Sequence, residues 1–207
     1  VLHYAHINDN GYLSLHGVPH EYTYGDHSYN KGADVAHTLR AYMGDSLFFV
    51  GLRSFLNTYS FKDVDAYDFM DHLNTLPGVD VTQFFNDWIF GSGFPDFSID
   101  SIISNSSGSG YLVEVFVKQK LKGTNDLFDS VPLQVTFVNS NWTEHIDSFI
   151  MSGTYASFSF NVPFEPEWAY LNGDDKISQA VTGENIIVNS TGTKDLSYSM
   201  SRITTTS

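Results

Sequence analysis

A chain of 207 residues with 42% apolar content can bury a real core as one ordinary domain or two small ones, which excludes wholesale disorder. Its 24 acidic against 10 basic residues give a net charge of −14, which repels phosphate backbones and excludes nucleic acid as an expected partner. With no cysteine there are no disulfides or thiolate metal sites, and no apolar run approaches the roughly 20 residues of a transmembrane helix.

The N-terminus, VLHYAH, carries neither an initiator Met nor a signal-peptide pattern, so a piece of a longer polypeptide is expected. Asn10-Gly11 is tight-turn chemistry, and GVPHEYTYGD, residues 17–26, reads as an aromatic loop. From Tyr29 to Gly91 the apolar residues recur at helical spacing in four stripes, 33–43, 47–59, 69–76 and 81–89, which predicts four helices. Gly44-Asp45, the aspartates of residues 63–65, Pro77-Gly78 and a capping Asp80 punctuate them. The first helix begins poorly, because Tyr29 leads straight into Lys31-Gly32 and glycine costs a helix interior about 1 kcal/mol relative to alanine.

After Gly93-Phe94-Pro95 the period changes to two. Strands are predicted at 97–103, 111–119, 131–138, 144–151, 155–162 and 168–171, with a further one at 185–188, separated by turn clusters such as NSSGSG. A run of helices followed by a run of strands predicts an α+β fold of two packed modules rather than an alternating α/β sheet. The expected organisation is a helical module over 1–94, an antiparallel β-sandwich over 95–190 and a loosely ordered tail over 191–207. No internal repeat is visible.

Several polar groups invite a functional reading. His3, His6, His16, His20 and His27 crowd one stretch, but His20-Glu21 lacks the second histidine of H-E-x-x-H and sits in a loop, so solvated or hydrogen-bonding histidines are favoured over a metal cluster. Asp63, Asp65, Asp68 and Asp71 lack the ligand order and glycine of a calcium loop, and helix N-terminal placement accounts for Asp65 and Asp68. Asp174-Asp175 after Asn172-Gly173 reads as a turn. There is neither a G-x-S-x-G elbow nor a glycine-rich phosphate loop. Trp142, Tyr155 and Trp168 could offer stacking faces to a carbohydrate, although aromatics alternating in a sandwich are more often core. Asn105, Asn141 and Asn189 lie in N-x-[ST] sequons.

Four anchors occur in order over the helical stretch: Tyr29-x-Lys31-Gly32-Ala33, Gly44-Asp45 before the paired aromatics Phe48-Phe49, the run from Asp80 to Trp88 containing Phe84-Phe85, and Gly93-x-Pro95 leading into strands. Together they resemble the M1 family of zinc aminopeptidases, the gluzincins related to aminopeptidase N and leukotriene A4 hydrolase. The resemblance implies the end of a thermolysin-like catalytic domain followed by the β-sandwich domain of such an enzyme. It also implies that Tyr29 is the catalytic tyrosine, a phenol that faces the active-site zinc and donates a hydrogen bond to the tetrahedral oxyanion formed on a peptide carbonyl. Gly32 would then let the helix start approach its neighbours closely and hold Tyr29 over the cleft.

The departures are as informative. In the family the zinc motif, its third glutamate ligand and the Gly-x-Met-Glu-Asn stretch that reads the substrate amino group all lie upstream, and none is present here. Zinc is therefore expected in the full-length parent, with its ligands outside this chain, and the chain alone is expected to bind no metal and to be inactive. The partners implied are a peptide substrate and the remaining N-terminal catalytic half of the same polypeptide; the substrate-binding residues are unknown. The alternative is a non-catalytic cell-surface or interaction module that reuses the M1 fold. The acidic balance, absent cysteines and Asn/Ser/Thr-rich second half suggest a periplasmic or extracellular location.

Overall fold

A computed structural model describes residues 12–25 and 27–179 and the backbone of Ile187–Val188. The chain forms two compact units. One comprises the residues up to Phe94 together with Lys122–Asp129, and the other Pro95–Leu121 and the residues from Ser130 on.

In the first unit the four expected helices form: α1 (Gly32–Met43), α2 (Asp45–Thr58), α3 (Ala66–Leu73) and α4 (Thr82–Phe85). A π-helical turn, His27–Lys31, leads into α1, and another, Asn86–Phe90, carries α4 onward. Gly44 ends α1 at φ 73° while its N–H reaches the Arg40 carbonyl at 2.9 Å. The start of α3 is a reciprocal cap. The Asp65 carboxylate accepts from the N–H groups of Tyr67 at 2.8 Å and Asp68 at 3.1 Å, and the Asp68 carboxylate accepts from the Asp65 N–H at 3.0 Å. Asp80 accepts from the Thr82 N–H at 3.0 Å, as its position before α4 predicts.

The apolar stripes meet only in part as the spacing predicts: Leu39 and Met43 of the first are buried, but α1 turns Val35 inward and leaves Ala33 and Ala36 exposed, and Leu56 of the second stripe is exposed. Val35, Leu39, Leu73, Phe84, Phe85 and Trp88 are all buried. Trp88 stacks on Phe84, with ring centroids 6.0 Å apart, and receives the edge of Phe128 at 4.7 Å. Phe128 comes from the connection after the second strand, which explains why Lys122–Asp129 belongs to the helical unit. The Asp129 N–H also donates to Asp87 at 2.9 Å.

Close approach occurs at Gly51 rather than at Gly32. A Cβ on Gly51 would stand 2.6 Å from Leu73 Cδ2, whereas one on Gly32 would meet nothing within 4 Å. The expectation that Gly32 brings the helix start against its neighbours is thus overturned among the described residues: the turn before α1 is held from below by longer side chains.

In the second unit, β1 (Phe94–Ser107), β2 (Gly110–Lys122) and β5 (Tyr155–Val162) form one antiparallel sheet in the order β1-β2-β5. The strands β3 (Val131–Val138), β4 (Glu144–Met151), β6 (Trp168–Leu171) and β7 (Ile187–Val188) form another in the order β4-β3-β6-β7. Alternation decides which face is covered. Val113, Val115 and Val117 of β2, and Val131, Leu133, Val135 and Phe137 of β3, are 0–1% exposed. The two sheets meet where Phe137 lies 5.6 Å from Phe160 and Phe149 lies 4.2 Å from Phe158. The chain is therefore α+β, with helices and antiparallel sheets segregated along the sequence.

Two details differ from the sequence reading. β1 and β2 are longer than predicted, and NSSGSG is mostly strand: only residues 108 and 109 turn, with Gly108 at φ 60°. The Asn172 turn is as expected, its side chain bonding both the N–H and the carbonyl of Ile177 at 3.0 and 2.8 Å. The predicted Asn10-Gly11 turn, residues 185–186 of the last strand and the tail lie outside the described residues.

Candidate functional site

The π turn before α1 has two sides. Tyr29, at its middle, is 61% exposed, while His27 and Lys31, two residues to either side, are 0% and 1% exposed. Residues four apart face the same way on such a turn and the residue midway faces oppositely, so burying the pair presents the phenol outward.

The buried pair is anchored on consecutive peptide carbonyls. His27 Nε2 lies 3.0 Å from the Ser14 carbonyl oxygen, and Lys31 Nζ donates to the Leu13 carbonyl. The Lys31 ammonium also sits 4.6 Å from the Phe94 ring centroid. Burial strips water from this amine and lowers its pKa to about 7. The carbonyl-bearing loop is itself fixed, since the His16 N–H donates to the Ile89 carbonyl at 3.0 Å and the His16 ring meets Tyr67 and Phe90 edge-on at 5.2 and 5.3 Å. Ser28 Oγ adds a bond to the Tyr22 carbonyl at 2.9 Å, and the Tyr29 N–H one to the Gly25 carbonyl at 3.2 Å.

Deeper in the helical unit, Trp88 Nε1 donates to the Tyr42 hydroxyl at 3.2 Å, and burial pushes the Tyr42 phenol upward from its ordinary value. Burial likewise raises the Asp87 carboxyl, against the lowering effect of bonds from the Asp129 N–H and the Gln83 amide. Both groups belong to the packing around Trp88 rather than to an open cleft.

Other candidates are placed as follows. His16 and His20 are exposed, His27 is a buried hydrogen-bonding histidine, and His3 and His6 lie outside the described residues. No three His, Asp or Glu side chains among the described residues come together as metal ligands, so the donor set here does not fit a zinc ion. Asp65 and Asp68 are spent on capping α3. Trp142 and Tyr155 are not core: they are 75% and 60% exposed, while Trp168 is half-buried against Trp142 at 5.3 Å. Trp142 occupies a left-handed conformation, φ 61°, in a hairpin whose Asn139 carboxamide accepts from the N–H groups of Asn141 and Thr143. Asn105 and Asn141 are exposed; Asn189 lies outside the described residues.

The sequence singles out Tyr29, which the structure leaves exposed, but does not by itself reveal that His27 and Lys31 are buried beneath its turn. The available signal was a pair of polar residues at i and i+4 beside the tyrosine, where a helix start exposed on both sides would not need them.

The helices and the segregated antiparallel sheets define an α+β protein. Residues 16–88 match the peptidase family M1 domain. The probable aminopeptidase 2 of Sulfurisphaera tokodaii is 36% identical over 75 residues, covering 36% of this chain and 10% of that protein. The leucyl aminopeptidase of Saccharolobus solfataricus is 22% identical over 173 residues, covering 73% of this chain and 22% of that protein. Among solved structures, Legionella pneumophila aminopeptidase A in complex with aspartic acid superposes with a TM-score of 0.61 at 18% identity, over 76% of this chain and 18% of that one, which supports the fold alone. The likeness to peptidase family M1 is thus carried by residues 16–88 of the helical half, and the matches span between about a tenth and a fifth of the length of these relatives.

Proposed function

We propose that this chain is the part of an M1-type zinc aminopeptidase that contributes the oxyanion-stabilising phenol, Tyr29. The observation that carries the reading is the contrast between a 61% exposed Tyr29 and the 0% and 1% exposed residues that hold its turn. A phenol fixed in this way can donate its O–H to the negative oxygen that develops on a peptide carbonyl, and it does so without ionising. Fixing the donor beforehand matters, because a donor that must reorganise during the reaction loses much of its value. The zinc implied by the family belongs, on this reading, to residues outside the chain, and the described residues offer no set to hold it. The chain alone is then inactive. The sheet unit is read as the β-sandwich domain that follows the catalytic domain, and the parent as a periplasmic or extracellular enzyme acting on peptide N-termini.

The deciding experiment is steady-state hydrolysis of an amino-acid 4-nitroanilide by the full-length protein that contains this chain. Tyr29→Phe should lower kcat by about 10²–10³-fold, or ~3–4 kcal/mol, with KM and bound zinc unchanged. A variant with wild-type kcat would refute the assignment.

A second reading, a non-catalytic interaction module on the M1 fold, is favoured by one observation: the 75% exposed Trp142, which holds a left-handed conformation at φ 61°. Absence of both zinc and hydrolysis in the full-length protein would select it.

A further inference from the structure

We infer that Lys31, seconded by His27, is a positioning residue for Tyr29: its amine pins the Leu13 carbonyl beneath the π turn and so fixes where the phenol is held. This inference rests on the reading of Tyr29 as the oxyanion donor and extends it to a group that never touches substrate.

Three observations carry it. First, the geometry is that of a mount. Lys31 and His27 flank Tyr29 at equal distance in sequence, both are buried, and their side chains end on the carbonyls of Leu13 and Ser14, neighbours in one loop. Two bonds to adjacent carbonyls remove rotation of the turn about its axis, which a single bond would leave. Second, that loop is not free to follow the turn, because His16 ties it to the Ile89 carbonyl and packs on Tyr67 and Phe90. The reference frame for the phenol is therefore the far end of the helical unit. Third, a lysine amine is a poor choice for stability alone. Its burial is costly enough to bring its pKa down to about 7, and a methionine of similar length would fill the same space against Phe94 without that cost. A residue that packs worse than its apolar replacement, yet donates to one chosen carbonyl, fits a task of orientation.

Stability and turnover should therefore separate on substitution. In the full-length enzyme, Lys31→Met is expected to leave the melting temperature unchanged or raised, to leave KM within about twofold, and to lower kcat by about 10- to 100-fold, the scale on which misplacing a catalytic group is felt. Lys31→Gln, which keeps an N–H donor, should recover part of that loss. In a Tyr29→Phe background, Lys31→Met should have little further effect, because there is no longer a hydroxyl to position.

The outcomes divide cleanly. Wild-type kcat in Lys31→Met, or an equal fold-loss with and without the Tyr29 hydroxyl, overturns the positioning role while leaving the Tyr29 reading intact. Wild-type kcat in Tyr29→Phe overturns that reading and this inference with it. Should Lys31→Met fail to fold, Lys31→Gln against its own Tyr29→Phe double variant supplies the same comparison.

Discussion

At the scale of single residues, what the sequence withholds is the direction a side chain faces. Tyr29 could be singled out from its neighbours in the chain, but nothing in HSYNKG tells a reader that His27 and Lys31 point inward, because polar residues at a helix start ordinarily face water. The π turn makes the difference, and its wider winding leaves no mark in a 3.6-residue pattern. Burial of Lys31 also has a consequence for stability that is independent of catalysis. Its folded-state pKa of about 7 lies below the ordinary lysine value of 10.5, so between these values the unfolded chain binds a proton that the folded one does not. Stability should then rise with pH across that window, by up to about 1.4 kcal/mol per pH unit, and the contribution is flat below it, where both states are charged. Urea unfolding of the wild type and of Lys31→Met between pH 7 and 10 should show the difference between the two shrinking as pH rises. Parallel curves would mean that the amine is not desolvated in the native state.

At the scale of elements, periodicity was a sound guide wherever a face had to be buried. Six of the strands lie where their patterns place them, since a one-residue slip would turn an apolar set such as Val113, Val115 and Val117 outward; the four helices form as well, but α1 buries Val35 in place of Ala33 and Ala36. What periodicity could not supply is the tertiary reason for each glycine. Gly32 stands in open space, so Gly32→Ala should be neutral or stabilise the chain by up to about 1 kcal/mol through helix propensity. Gly93 is the opposite case. It holds φ at 79°, its N–H donates to the Tyr12 carbonyl at 2.6 Å, and a Cβ would stand 2.3 Å from the Lys122 carbonyl oxygen, a backbone atom that cannot swing aside. Gly93→Ala should therefore cost about 2–3 kcal/mol, combining left-handed strain with overpacking. Thermal melts of the two alanine variants against the wild type should move in different directions or at least by clearly different amounts; equal melting temperatures would contradict both assignments.

At the scale of the whole molecule, the change from helical to strand periodicity near residue 95 is plain in the sequence, yet the helical unit does not end there. It reclaims Lys122–Asp129 from between two strands, and the reason is Phe128, which is 1% exposed and packs edge-on against Trp88 at the centre of the helical core. No local pattern announces this, because TNDLFDS reads as a polar connection with two adjacent apolar residues, Leu127 and Phe128, and nothing local tells which of them is buried or that the partner, Trp88, lies 40 positions earlier. A connection built in this way makes the helical unit depend on a side chain that the strand half of the sequence supplies. Phe128→Ala should accordingly cost about 3–5 kcal/mol, the usual range for emptying an aromatic site in a core. The loss should appear in the helical unit, as a lower midpoint for the helical circular-dichroism signal together with earlier exposure of Trp88 to solvent. Leu127→Ala, one residue before it and 39% exposed, is the control and should shift the midpoint little. If Phe128→Ala left the helical transition where it is, the connection would be a passive tether, and the helical unit would be complete at Phe94.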